Sequence, residues 1–71
     1  MGYHIYYGGG PRDLHYAVTE DEAWAMAWDM ARDMAADEGI APETLGEYRQ
    51  EDRMGICPEG SDGAYWPIVE G

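Results

Sequence analysis

The sequence predicts an α+β domain in which a small antiparallel sheet of three to four strands, in ββαββ order, packs on one long amphipathic helix. Three observations lead there. Residues 19–39, "TEDEAWAMAWDMARDMAADEG", hold helix-forming residues whose apolar positions recur at helical spacing. Two short β-prone runs, residues 2–7 and 14–18, flank the breaker "GGGPRD", the pattern of a hairpin. Past the helix, "RMGIC" and "AYWPIV" supply further β-branched and aromatic runs. A sheet and a helix that each bury one face make a two-layer domain. The 71 residues form one such domain, residues 1–71.

In the first hairpin, Tyr3, Ile5 and Tyr7 share one face of the opening strand. "LHYAV" alternates Leu14, Tyr16 and Val18 against His15 and Ala17 and forms the second strand. Thr19 caps the helix: its hydroxyl accepts from the Glu22 amide and the Glu22 carboxylate reaches back, the T-x-x-E capping box. Glu20, Asp21 and Glu22 fill the first turn, where the helix dipole favours negative charge. Gly39 stops the helix in a left-handed conformation, with Ile40 folding back onto the last turn. The helix, residues 20–38, is roughly 28 Å long at 1.5 Å per residue.

Winding that helix at about 100° per residue separates two faces. Trp24, Ala27, Trp28, Ala31, Met34 and Ala35 face the sheet, with Ala23 and Met30 at the edge of the stripe. Glu22, Asp29, Asp33 and Asp37 fall together on the outward flank, and Arg32 lies off their row and neutralises little. Beyond the helix, Pro42 starts a turn or short helical segment through Leu45 that Gly46 ends. From Glu47 the chain is extended with Tyr48 as an inward anchor, "RMGIC" continues or resumes that strand, and Gly55 marks a bulge. "PEGSDG" is a loop, and Pro67 places the last strand at a sheet edge or turns its missing amide to solvent.

Composition narrows the function classes. Fifteen acids oppose four arginines and no lysine, a formal charge of −11. Anionic lipid surfaces and free nucleic acid both repel such a chain, so neither a membrane nor direct nucleic-acid binding is expected. The lack of lysine removes P-loop and Schiff-base chemistry. Ser61 is the only serine and has no motif tying it to a base. Cys57 with His4 or His15 is the one nucleophile–base pairing available, and nothing in the spacing links them. No zinc or EF-hand spacing occurs, and no catalytic residue, metal or cofactor is expected. "MGYHIYYGGGPRD" has neither the cationic start nor the apolar core of a signal peptide, and Tyr6 and Tyr7 stand where a myristoylation motif needs Ser or Thr. A cytoplasmic location is the expectation.

The carboxylates then carry the functional reading. Like charges at i,i+4 cost a helix a few tenths of a kcal/mol each, so Asp29, Asp33 and Asp37 do not serve the helix itself. Successive members of the row stand about 6 Å apart, a rigid line of charge to set beside phosphates spaced about 3.4 Å along a strand. Glu43, Glu47, Glu51 and Asp52 extend the candidate surface through the connector. Affinity needs anchors as well as steering, and Tyr6, Tyr7, His15 and Trp66 are the candidates.

In total charge, length and the acidic helix "DEAWAMAWDMARDMAADEG" beside a small sheet, the chain resembles the small acidic phage-encoded inhibitors that imitate nucleic acid, of anti-CRISPR and anti-restriction type. These share no diagnostic motif, so the resemblance is one of pattern across the whole chain and carries no residue over. It implies a non-enzymatic block in the host cytoplasm, the acidic face occupying the basic DNA-binding site of a CRISPR effector subunit or similar complex, whose cationic channels suit the charge. Two other readings fit the composition: a general protein-interaction module of adaptor or antitoxin type, and a salt-adapted acidic domain of unrelated function.

Overall fold

The computed structural model describes residues 1–51 and 53–71. The elements run β1 (Tyr3–Tyr7), β2 (His15–Ala17), α1 (Glu20–Glu38), a 3₁₀ turn (Pro42–Thr44), β3 (Leu45–Arg49), β4 (Met54–Pro58) and β5 (Pro67–Glu70). The strands form a single sheet in the order β2-β1-β5-β4-β3, every neighbouring pair antiparallel. The chain is therefore α+β, as expected, but with five strands in ββαβββ order rather than three to four in ββαββ.

The additional strand comes from the connector. Residues 45–58 do not make one strand with a bulge; they fold into a second hairpin, with Gln50 N–H donating to the Arg53 carbonyl at 2.7 Å. Gly46 sits within β3 and ends no helix. Gly55 is no bulge either, since it pairs in regular register with Tyr48 on one side and Ile68 on the other. It is glycine because a Cβ there would collide with the Pro67 carbonyl and press on the Tyr48 ring. Tyr48 is half-buried on the face away from α1, whereas Leu45, Glu47 and Arg49 take the helix side.

β5 is the central strand, contrary to the edge placement that Pro67 suggested. Pro67 occupies its first position, opposite Tyr7, where a strand tolerates a missing donor. The hydrophobic demand of "PIV" wins: Pro67, Ile68 and Val69 are all buried.

The helix follows its sequence signals at both ends. Thr19 accepts from the Glu22 amide at 3.2 Å, and among the described residues no return bond from Glu22 completes the box. Gly39 adopts φ 70° and ψ 28°, and Ile40 N–H donates to the Ala35 carbonyl at 2.8 Å, so the last carbonyls are satisfied as a left-handed cap requires. The buried stripe is Ala23, Trp24, Ala27, Met30, Ala31 and Ala35. Trp28 and Met34, expected within it, are half-buried at its margins, while Ala23 and Met30 move inside. The alanines let the helix approach the sheet, where Ile5, Ala17, Leu45, Ile56 and Val69 complete the core.

On β2 the small residue faces in. Ala17 is buried, while Leu14, Tyr16 and Val18 are exposed, so the larger alternate set of "LHYAV" points outward. The register Tyr3↔Ala17 and Ile5↔His15 imposes this, because Ile5 and Tyr3 lie on the core side.

Candidate functional site

Glu22, Asp29, Asp33 and Asp37 are all exposed on one flank of α1, the surface the helical periodicity assigns to them. Arg32 is less remote from the row than its position suggested. Its Nη2 donates to Asp29 Oδ1 at 3.0 Å, and its guanidinium lies 5.8 Å from the centre of the Trp28 ring. An exposed i,i+3 pair of this kind contributes only a few tenths of a kcal/mol and leaves Asp29 open to solvent. Among the described residues no ion pair engages Glu22, Asp33 or Asp37.

The connector acids do not extend that row. Glu47 lies on the helix-facing side of edge strand β3 and accepts from Trp28 Nε1–H at 2.7 Å. Trp28 and Asp33 are five residues apart, about 140° around the helix axis, so Glu47 borders the opposite flank. Glu43 is exposed in the 3₁₀ turn, and Glu51 is exposed in the β3–β4 turn between Arg49 and Arg53. Asp52 lies outside the described residues.

The arginines hold acids elsewhere. Arg12 pairs with Glu70, and Arg49 Nη2 donates to Glu20 Oε2 at 2.8 Å while its guanidinium lies 5.4 Å from the Trp24 ring centre. Trp24 Nε1–H also donates to Glu20. These bonds, that from Arg49 foremost, hold the Glu20 carboxyl below its ordinary pKa.

Of the four aromatic anchor candidates, one is excluded: Trp66 is only 6% exposed and belongs to the core cluster. Tyr6 is half-buried on the face away from α1, its hydroxyl donating to Glu70. Tyr7 is half-buried under α1, its hydroxyl donating to the Met30 carbonyl at 3.4 Å. His15 is exposed beside Met26 and Asp29. The exposed tyrosines are Tyr16, 54% exposed, and Tyr65, 70% exposed. A signal for both existed. The outward set of an alternating edge strand includes Tyr16, and Pro67 as a strand start leaves Tyr65 in the preceding turn.

Tyr65 and Tyr7 border a cleft of about 820 Å³ between the turn after β1 and the C-terminal half of α1. Asp33 and Asp37 stand on its helical side, and the bare backbone of Gly9 and Gly10 faces them. Two turns interlock behind it: Gly8 N–H donates to the Trp66 carbonyl at 3.1 Å, and a Cβ on Gly8 would strike the Ala64 carbonyl. Burial raises the Tyr7 pKa above its ordinary value, and the charges of Asp33 and Asp37 add to the rise.

The nucleophile candidates are set apart. Cys57 on β4 is two strand positions from His4 on β1 and three from β2, roughly 10 and 14 Å at sheet spacing. Burial, then the Asp62 charge, pushes the Cys57 thiol pKa up, the reverse of an activated thiolate. Among the described residues no three His, Cys, Asp or Glu side chains converge as a metal site, and no helix is long and apolar enough to cross a membrane.

Compared with known proteins, the chain matches no family model, no curated protein and no solved structure.

Proposed function

We propose that the chain is a non-enzymatic inhibitor that imitates nucleic acid, its acidic helical flank occupying the basic DNA-binding site of a CRISPR effector or similar complex. The observation that carries this reading is the outward row Glu22, Asp29, Asp33 and Asp37 on a rigid helix, with one internal counter-ion at Asp29 and a net charge of −11 behind it. Fixed charges on one flank steer association with a cationic groove and make the on-rate fall with salt. The surface is confined to α1: Glu43, Glu47 and Glu51 lie off the row and add only to the general field.

Competition decides it. With labelled duplex DNA bound to a CRISPR surveillance complex, the chain should displace DNA, and Glu22→Lys with Asp29→Lys should weaken displacement at least about tenfold, the scale of a few lost charge contacts. Circular dichroism should show the helix intact. Displacement unchanged by the double reversal removes the assignment of this flank.

A second reading has an observation of its own. Leu14, Tyr16 and Val18, on and beside edge strand β2, are exposed apolar side chains, which suits a protein-interaction module of adaptor or antitoxin type. That reading predicts binding that changes little between about 50 and 200 mM salt, where charge-driven binding weakens steeply.

A further inference from the structure

We propose that the cleft between the turn after β1 and α1 receives an arginine side chain of the basic partner, its guanidinium held by Asp33 and Asp37 against the rings of Tyr7 and Tyr65. This rests on the reading of a basic partner and specifies which residue anchors it.

Three separate features converge there. The first is uncompensated negative potential. Asp33 and Asp37 are like charges at i,i+4, and the last turn of α1 holds no basic residue, although the negative pole of the helix dipole favours one. The charge that would settle this turn is therefore to be supplied from outside, since the arginines Arg12, Arg32 and Arg49 are committed to Glu70, Asp29 and Glu20 and Arg53 precedes β4 at the end of the sheet away from Tyr7.

The second feature is aromatic. Tyr65 keeps 70% of its surface exposed, beside the backbone of Gly9, while Tyr7 forms the inner wall. An exposed ring lining the same cleft as two carboxylates offers a stacking face to a cation that the carboxylates attract. The third is shape: the opening is wide enough for a side chain to enter, and glycine on the facing turn keeps that wall clear.

The chemistry selects arginine. A guanidinium is planar, donates to carboxylates in a fork and stacks on rings while weakly hydrated; an ammonium is a strongly hydrated point charge. A calcium ion needs six to eight oxygen ligands, and two carboxylates with no third acid, His or Cys converging among the described residues fall short of that.

The test uses the full chain labelled with ¹⁵N and two probes, a hexa-arginine and a hexa-lysine peptide, at about 150 mM salt, where charges beyond about 8 Å are largely screened. Hexa-arginine should bind more tightly, with its largest amide shifts at Gly9, Gly10 and Asp37. Tyr65→Ala should weaken hexa-arginine binding about tenfold, the effect of a partly desolvated cation–π contact, and hexa-lysine binding less than about twofold. Tyr65→Phe should retain the preference. Equal affinity for the two peptides, or hexa-arginine binding indifferent to Tyr65→Ala, overturns the proposal. The two readings fail separately. If Glu22→Lys with Asp29→Lys abolishes DNA displacement and Tyr65→Ala does not, the row stands and the cleft falls; the opposite result leaves the cleft and removes the row.

Discussion

The Nε1–H of Trp28 donates to the Glu47 carboxylate at 2.7 Å and ties edge strand β3 to the flank of α1 opposite Asp33. The acidic surface of the chain is thereby divided. Glu47→Lys should change affinity for a hexa-arginine peptide less than about twofold at 150 mM salt, where the screening length is about 8 Å. Asp33→Lys with Asp37→Lys should reduce it at least about tenfold, since those acids touch the guanidinium directly. Calorimetric titration of the two variants checks the division. Stability should move the other way round, because losing the Glu47 acceptor removes an exposed hydrogen bond worth about 0.5–1 kcal/mol.

Two glycines of the second hairpin give a sharp contrast in stability. Gly55→Ala should destabilise by more than about 2 kcal/mol, because the new Cβ meets the Pro67 backbone, which the central strand holds in place. Gly46→Ala, one strand away, meets nothing within 4 Å and needs no left-handed backbone, so it should be neutral or stabilise by up to about 1 kcal/mol. Urea denaturation of both variants measures the difference.

Local signals were legible in the sequence wherever one residue decides one conformation. Thr19 and Gly39 bound the helix as the capping rules require, and Tyr3–Tyr7 stands as the first strand. What escaped was decided across strands. Nothing within "YRQEDRMG" announces that the chain reverses there. The reversal follows from β4 having to lie between β3 and β5. Pro67 alone signals an edge, and the alternation of "LHYAV" does not say which set faces the core; the pairing with β1 decides both. For the site, helical period sufficed to place Glu22, Asp29, Asp33 and Asp37 on one flank. Tyr65 and Glu47 gain their roles from contacts with Gly9 and Trp28, 56 and 19 positions away in the chain, which no local pattern encodes.

Alkali should destabilise the fold through its tyrosines. Burial, as the largest cause, raises Tyr6, Tyr7 and Tyr48 above the ordinary value of 10.0. The folded state holds these protons more tightly than the unfolded state, so their contribution is fully present below pH 10 and is lost as pH rises through their higher folded values. Absorbance at 295 nm should show a late ionisation from part of the six tyrosines, coincident with the loss of the helix signal.

Acid acts on the Arg49–Glu20 pair with the opposite sign. The Glu20 carboxyl is lowered in the folded state, so its contribution is present above the unfolded carboxylate value and is lost as pH falls through the folded one. Arg49→Ala should lower the melting temperature by a few degrees at pH 7, as expected for an exposed pair that also covers the Trp24 ring. The gap between the variant and the parent should narrow below about pH 3, under the ordinary glutamate range, to what the Trp24 contact alone contributes. Arg49→Lys should restore only part of the loss, because an ammonium does not stack on Trp24 as a guanidinium does.

Salt separates an acidity that serves a partner from one that serves a saline environment. A charge of −11 on 71 residues opposes compaction at low ionic strength. Raising sodium chloride from 10 to 100 mM shortens the screening length from about 30 to about 10 Å. That relieves repulsion across a molecule whose shorter dimensions are 22 and 21 Å. The melting temperature should therefore rise by roughly 5 °C, the response of a domain this size to about 1 kcal/mol, and level off by a few hundred millimolar. The chain should already be folded at the lowest salt, because its core of Ile5, Ile56, Val69 and the helix alanines contains no buried charge. A salt-adapted domain behaves differently: it is unfolded in dilute buffer and gains its helix only near molar salt. Circular dichroism across that range distinguishes the two, and a helix signal absent at 10 mM sodium chloride would assign the acids to the environment instead of to a partner.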